Sequence, residues 1–342
     1  MRIPERPRVA VVGATGAVGR VLLDLLIERN FPASEVVAVA SQRSEGRVLP
    51  FGDGDLTVTA LSEGVFEGID IAIMDTPDEV ALEWAPIAVR AGAVVVDNSG
   101  AWRMDEKVPL VVPEINPGAL LTHEGIIASP NCTTIGVVVP LWALHRAFGV
   151  ERVVVSSYQA TSGAGQPGVE ELREQAEKLH GEFDALKVGA IEGLAPPPRM
   201  FADTIAFNVV PQIGSIAQQG YTGEEWKLLY ESRKIMGLPD LDMTGTCVRV
   251  PTVAGHGSSV LAWFRDEVDV ASATEALRAA PGVALADVPT PLLAAGKDAC
   301  FVGRVRRHPS DAHALWFFTT SDNLRKGAAL NALQIAESLL GR

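Results

Sequence analysis

One local pattern constrains this chain more than any other. The apolar strand Arg8-Val-Ala-Val-Val12 runs directly into Gly13-Ala-Thr-Gly-Ala-Val-Gly19, and apolar residues at helical spacing follow over 21–27. A strand and helix joined by so short a turn pack against each other, and the next strand then returns parallel to the first. Short apolar runs recur at 36–40, 69–74 and 94–97, with a helical pattern over 79–91. Strands alternating with helices predict an α/β fold with a parallel sheet covered on its faces, a Rossmann-type dinucleotide-binding domain.

After Thr134 the pattern changes. Residues 137–148 read as helix, 153–159 as strand, 163–168 as a glycine-rich loop and 170–180 as a charged helix, followed by the breaker run Ala195-Pro-Pro-Pro198. Strand-like segments at 246–250, 258–265, 301–306 and 314–320 predict an α+β second domain with a mainly antiparallel sheet. The last helix, 327–340, has one apolar face, with Asn331, Gln334 and Glu337 elsewhere on it.

Composition bounds the function. A net charge of −13 argues against nucleic acid, which needs clustered Lys and Arg to displace counterions. The longest apolar stretch, 135–144, is interrupted by Pro140 and too short to span a bilayer, and the polar N-terminus carries no secretory signal. Three cysteines (Cys132, Cys247, Cys300) cannot all pair and form no Cys-x-x-Cys, so a reduced, cytoplasmic protein without a metal site is expected.

Gly13, Gly16 and Gly19 between strand and helix suit close approach to a pyrophosphate at the helix's positive end. The second strand ends in Ser41-Gln-Arg-Ser44, with no acid before Glu45. A guanidinium at Arg43 with hydroxyls at Ser41 and Ser44 suits a 2′-phosphate, which favours NADP over NAD. Cys132, in Ser129-Pro-Asn-Cys-Thr-Thr134, precedes an apolar helical run; a helix N-terminus stabilises thiolate over thiol. His256 and Arg249 flank a Pro/Gly-rich segment leaving a strand, where an imidazole could relay protons. Gln159 ends a strand as a candidate amide donor to a carbonyl, and Glu224 and Lys227 form an i,i+3 pair that could equally be a surface pair.

Together these segments resemble the bacterial aspartate-semialdehyde dehydrogenase family almost from end to end. The carrying motifs are Val11-Val-Gly-Ala-Thr-Gly-Ala-Val-Gly19, Asp97-Asn-Ser-Gly-Ala-Trp-Arg-Met-Asp105, Pro130-Asn-Cys-Thr-Thr134, Gln159-Ala-Thr-Ser-Gly-Ala-Gly165, Gly220 through Lys227, Arg249 through His256, and Ser321 through Asn331. The resemblance implies NADPH-dependent reductive dephosphorylation of 4-aspartyl phosphate to aspartate 4-semialdehyde, feeding lysine (through diaminopimelate), methionine, threonine and isoleucine synthesis. It implies Cys132 as nucleophile, His256 as acid/base and Gln159 as the acyl-orienting amide. Arg249 would bind the α-carboxylate and Glu224 the amino group, with Arg103, Asn131 and Lys227 at phosphate. Gly13, Ala14, Thr15, Gly16, Ala17, Val18, Ser41, Arg43, Ser44, Ser162, Gly163 and Asn323 would line the cofactor. It further implies a dinucleotide-binding domain of residues 1–132 and 324–342, a catalytic and dimerisation domain of 133–323, and a homodimer or homotetramer.

Three segments depart from the family pattern. Asp75-Thr-Pro-Asp78 stands where a small Ser-Ala-Gly-Gly segment is usual, Gly100 replaces a Ser, and 213–219 differs without evident chemical reason. Alternatives on the same scaffold are an N-acetyl-glutamyl-phosphate reductase, a glyceraldehyde-phosphate-dehydrogenase-like enzyme, or a silent NADP-binding sensor. The Glu224, Lys227 and Arg249 set suits a free amino acid substrate better, and the intact Cys132, Gln159, Arg249 and His256 set argues against a silent sensor.

Overall fold

The computed structural model describes residues 3–342, which divide into two compact units. One takes the chain up to Ile135, then 230–239 and 324–342; the other takes 136–229 and 240–323.

The first unit holds β1 (Arg8–Val12), β2 (Glu35–Ala40), β3 (Val48–Phe51), β4 (Gly54–Thr57), β5 (Thr59–Ala60), β6 (Ile71–Met74), β7 (Val94–Asp97) and β8 (Ile126–Ala128). Six of these form one all-parallel sheet in the order β5-β2-β1-β6-β7-β8, and β3 and β4 make a separate hairpin. Strand order reverses between β1 and β6, and the crevice at the carboxyl ends of such strands is where open α/β sheets bind ligands. Helices α1 (Ala17–Glu28) and α2 (Asp78–Arg90) follow β1 and β6. One core packs Leu22, Leu25 and Leu26 of α1 with Val9, Val11 and Ile335; the other packs Phe66, Ala85 and Ala88 with Val12 and Met74. Burial on both faces is why these strands read as unbroken apolar runs.

Three further helices, α3 (Cys132–Phe148), α4 (Gly165–Leu179) and α5 (Phe183–Lys187), precede α6 (Gly223–Met236), α7 (Val270–Arg278), α8 (Pro291–Ala294) and α9 (Leu330–Leu339). The expected 163–168 loop is a short 3-10 turn over Thr161–Ala164 followed at once by α4. The second half of α6, from Tyr230 to Met236, belongs to the first unit. Its polar residues explain this: Glu231 bonds Arg103, and Lys234 Nζ donates to the carbonyls of Arg103, Asp105 and Val108 at 2.7–2.8 Å.

The final helix also differs from its reading as one apolar face with polar residues elsewhere. A π turn over Arg325–Ala329 leads into α9, and Asn331 is fully buried, donating to Val111 O (3.0 Å) and Ser129 Oγ (2.9 Å). Lys326 has no exposed surface and bonds both Glu114 and Gln334 at 2.7 Å, while Glu337 pairs with Arg29 at 2.8 Å. The π turn and the first turn of α9 are largely enclosed, so the polar residues Lys326 and Asn331 take protein partners in place of water.

The second unit carries β9 (Val150–Gln159), β10 (Asp242–Arg249), β11 (His256–Phe264), β12 (Val283–Leu285), β13 (Cys300–His308) and β14 (Asp311–Ser321). Their order is β10-β9-β11-β14-β13-β12; the three inner pairs are antiparallel and the two edge pairs parallel. On the charged α4, two polar residues turn inward. Glu171 Oε2 accepts the backbone N–H groups of Arg199 (3.0 Å) and Met200 (2.7 Å), and Gln175 Oε1 accepts that of Ile205 (2.9 Å). These bonds pin the loop after the proline run against Leu172, Leu179 and Val210. Among the described residues, no helix is long and apolar enough to cross a membrane.

Candidate active site

The turn after β1 has the shape a pyrophosphate needs. Gly13 adopts φ +93°, and a Cβ there would stand 2.1 Å from the Asp75 carbonyl oxygen, so no side chain fits. Gly13 and Ala14 donate their N–H groups to Val39 O (2.9 and 3.1 Å), which ties the turn to β2. Gly16 is the N-cap of α1, with no side-chain cap and no acidic residue in the first turn, which leaves that helix end suited to an anion. At the end of β2, Ser41 opens a 3-10 turn over Gln42–Ser44 in which Arg43 is exposed and Ser44 buried. Thr15, Ala17 and Val18 lie between the glycines and along the start of α1. These residues fit the pyrophosphate of a dinucleotide; the carboxylates beside them complicate the fit.

Asp75 directly follows β6, half-buried beside the turn, and burial pushes its carboxyl up to about 6. A side-chain interaction with Asn98 and the charge of Arg103 oppose the rise, and the charge of Asp97 adds to it. Asp97, fully buried, is likewise raised to about 6 by burial against the opposing 2.5 Å bond from Ser99. Asp78 is the first residue of α2 and accepts the Gly100 N–H at 2.8 Å. Two of the departures from the family pattern, Asp78 and Gly100, thus meet each other; nothing in the structure explains the divergence at 213–219.

Cys132 opens α3. Asn131 caps that helix: its Oδ1 accepts the N–H groups of Thr133 (2.9 Å) and Thr134 (3.2 Å). A residue the resemblance assigned to phosphate therefore also builds the helix start at Cys132. The Asn131 N–H donates to Glu231 Oε2 (2.7 Å), and Arg103 Nη1 donates to Glu231 Oε1 (3.1 Å). Arg103 is further held by Nε to Ser129 O (2.9 Å) and Nη2 to Asn98 O (2.6 Å). Sequence reasoning missed Glu231; the signal was the arginine, since a buried guanidinium requires an anion. Cys132 is half-buried, whereas Cys247 and Cys300 are fully buried, and none forms a disulfide.

In the second unit, the peptide of Ala160 joins two candidates. Its N–H donates to His256 Nδ1 (3.0 Å) and its carbonyl accepts Arg249 Nη1 (2.6 Å). A ring nitrogen that accepts carries no proton, so the neutral imidazole bears its hydrogen on Nε2. That nitrogen is buried and finds no hydrogen-bond partner among the described residues. Burial, reinforced by the Arg249 charge and opposed by the Gly255 backbone, lowers His256 to about 3, so the ring is neutral at physiological pH. Gly163 lies against both: a Cβ there would sit 2.7 Å from Arg249 Nη1 and 3.2 Å from the His256 ring.

Gln159, also buried, donates to Ser157 Oγ (3.1 Å) and Glu224 Oε1 (3.4 Å). Lys227 Nζ bonds Glu224 Oε2 at 3.3 Å; the lysine is half exposed but the carboxylate is nearly enclosed, so this is not a surface pair. A capping box between Thr222 and Glu225 fixes the start of α6, with Thr222 N–H on Glu225 Oε2 (2.8 Å) and Glu225 N–H on Thr222 Oγ1 (3.3 Å). Asn323 Nδ2 donates to Ser162 Oγ (3.0 Å) and its Oδ1 accepts the Gly255 N–H (2.9 Å), joining three candidate segments. Among the described residues, no group of His, Cys, Asp and Glu could hold a metal ion.

Two family models match: "Semialdehyde dehydrogenase, NAD binding domain" over residues 8–123 and "Semialdehyde dehydrogenase, dimerisation domain" over 141–326. An aspartate-semialdehyde dehydrogenase from Aquifex aeolicus is 46% identical, the match covering 97% of this chain and 98% of the relative. Among solved structures, aspartate semialdehyde dehydrogenase II from Vibrio cholerae, complexed with ASA, superimposes with a TM-score of 0.92 at 40% identity, over 98% of each chain. The Candida albicans aspartate semialdehyde dehydrogenase with NADP has a TM-score of 0.75 at 25% identity, again over 98% of each.

Proposed function

The chain belongs to the aspartate-semialdehyde dehydrogenase family, and we propose that it reduces 4-aspartyl phosphate to aspartate 4-semialdehyde, reversibly, through a thioester on Cys132. The observation that carries this reading is the thiol itself, half-buried at the first residue of the long, Asn131-capped helix α3. Helix N-termini lower thiol pKa values toward neutrality, which supplies the thiolate. The Cys132 sulfur forms a bond to the acyl carbon, the carbon–oxygen bond to phosphate breaks, and the departing phosphate takes up one proton from solvent. The Gly13–Gly19 turn would hold NADPH, which would supply the hydride for reduction of the thioester. The carbon–sulfur bond then breaks, releasing the aldehyde and returning the thiolate.

Roles divide by chemistry. His256, neutral, donates from Nε2 to the acyl oxygen as negative charge builds there. Gln159 orients the acyl group. Arg249, held by Ala160 O, grips the α-carboxylate with its planar fork, and Glu224 receives the amino group. Lys227 and Arg103 attract the phosphate, with Asn131 shaping that site as the α3 cap. Ser162, Gly163 and Asn323 border the nicotinamide, and Arg43 with Ser41 and Ser44 selects NADP over NAD.

The dimerisation-domain match supports an oligomer, and we assign a homodimer, itself able to pair into a tetramer. The surface suited to it is the sheet face bearing Tyr158 stacked on Phe318 (6.1 Å), with Trp263 and Trp316. Three cysteines without a disulfide among them support a reducing, cytoplasmic setting. The product suits synthesis of lysine, methionine, threonine and isoleucine.

The test is steady-state turnover of the purified protein with aspartate semialdehyde, phosphate and NADP. Phosphate-dependent reduction of NADP, abolished in Cys132→Ala, is expected. Turnover of N-acetylglutamate semialdehyde instead, or none with intact NADPH binding, overturns the reading.

A further inference from the structure

We propose that Asp75 is a cofactor-contacting residue whose carboxyl must be neutral when a dinucleotide pyrophosphate occupies the Gly13–Gly19 turn, so that cofactor capture takes up one proton. The proposal rests on the assignment of that turn to the cofactor.

Geometry places Asp75 at the turn from two sides. Its carbonyl oxygen fills the space where a Gly13 side chain would be, and its Oδ2 lies 4.0 Å from the Cβ position of Gly16, the N-cap of α1. A carboxyl group thus borders the helix end that a pyrophosphate approaches. Two negative groups side by side cannot both stay ionised cheaply in a partly desolvated crevice. Protonated, the same carboxyl becomes an O–H donor to a phosphate oxygen.

The surrounding charges do not neutralise Asp75. From β7 and the segment after it come Asp97, Asn98 and Arg103; α2 contributes Asp78; the first turn of α1 contributes no acidic side chain, and β1 ends in Val12. The one cation among them, Arg103, is already bonded to Glu231. Asp97 is fully buried and takes the Ser99 hydroxyl, and Asp78 takes the Gly100 N–H. Both are engaged within the fold, which leaves Asp75, half-buried at the turn, as the carboxyl a ligand meets. Burial already holds Asp75 near half protonation at about pH 6 before any ligand arrives. A bound pyrophosphate raises it further, so the complex holds a proton that the free protein releases. Affinity therefore falls as pH rises above 6, by up to about ten-fold per unit until the bound-state value is reached.

The experiment is isothermal titration calorimetry of the full chain with NADPH and with NADH, from pH 6 to 8, in paired buffers of different ionisation enthalpy. Wild type is compared with the near-isosteric Asp75→Asn and with Asp75→Ser. NADPH carries a titrating 2′-phosphate, but that contribution is common to all three proteins and cancels in the ratio of dissociation constants. The expected result is near-stoichiometric proton uptake by wild type at pH 7.5 that both variants lose, and a wild-type-to-Asn ratio that grows at least five-fold between pH 6 and 8. Equal proton uptake and parallel pH profiles overturn the role of Asp75 while leaving the turn assignment standing. Absence of binding of either dinucleotide by all three proteins overturns the turn assignment and the proposal with it.

Discussion

Removing the carboxylate of Glu231 should loosen the start of α3, the helix that Cys132 opens. Glu231 is 1% exposed and makes two charged bonds, one to Arg103 Nη1 at 3.1 Å and one to the Asn131 N–H at 2.7 Å. Truncating one partner of a buried ion pair costs about 3–5 kcal/mol, because the other charge stays desolvated without its counterion. The charge-assisted bond to Asn131 adds about 1.5–3 kcal/mol in isolation, but both losses share one desolvation, so Glu231→Ala should destabilise the first unit by about 4 kcal/mol. At about 2–4 °C per kcal/mol, its melting temperature falls by about 8–16 °C. Glu231→Gln keeps one acceptor and should lose about a third of that. Arg103→Met combined with Glu231→Leu should recover most of the loss, since both charges leave the interior together. Differential scanning calorimetry on the full chain reads these shifts. Alkylation by iodoacetamide reads the site, because Cys247 and Cys300 are buried and Cys132 is not; the pH midpoint of alkylation should rise in Glu231→Ala as the capped helix end loosens. A melting temperature within about 2 °C of wild type, with an unchanged midpoint, would refute the reasoning.

Two further predictions concern the same sites. His256 titrates near 3 when folded, below its ordinary value of about 6.5, so the unfolded chain binds more protons between those limits and stability is lost as pH falls through that window, by up to about 1.4 kcal/mol per unit. Wild type should therefore lose melting temperature more steeply than His256→Gln below pH 6.5; parallel curves would argue that the ring is not held neutral. A Cβ at Gly100 would lie 3.1–3.3 Å from both Asp78 carboxylate oxygens, so Gly100→Ser should cost about 1–2 kcal/mol alone and much less in an Asp78→Gly background. Strict additivity in that double-mutant cycle would show the two positions to be independent.

The elements legible in the sequence were those whose pattern is local and long. Strands β1, β2, β6 and β7 show as apolar runs because both their faces are buried, and α2 shows its helical period. The hairpin β3–β4 and the short strands β5, β8 and β12 had no such signal, being less fully buried than β6 and β7 and identified by what they pair with. Pro140 lies inside α3 without ending it, in a helix buried along most of its length. Of the site, Cys132, Gln159, Arg249 and His256 stood out because reactive chemistry restricts residue type. Glu231 did not, because its partners Arg103 and Asn131 lie 128 and 100 residues away along the chain.

By itself, then, the amino-acid sequence determined the βαβ character of the first unit, the glycine turn and the helix-terminal position of Cys132, since backbone sterics and periodicity act over a few residues. Only the tertiary structure decided which nitrogen of His256 bears the proton, that Asn131 and Arg103 share a buried carboxylate, and that Asp78 turns to Gly100 while Asp75 stays at the Gly13–Gly19 turn. Burial and hydrogen-bond partnership set each of these, and both arise when distant segments close around one another and exclude water.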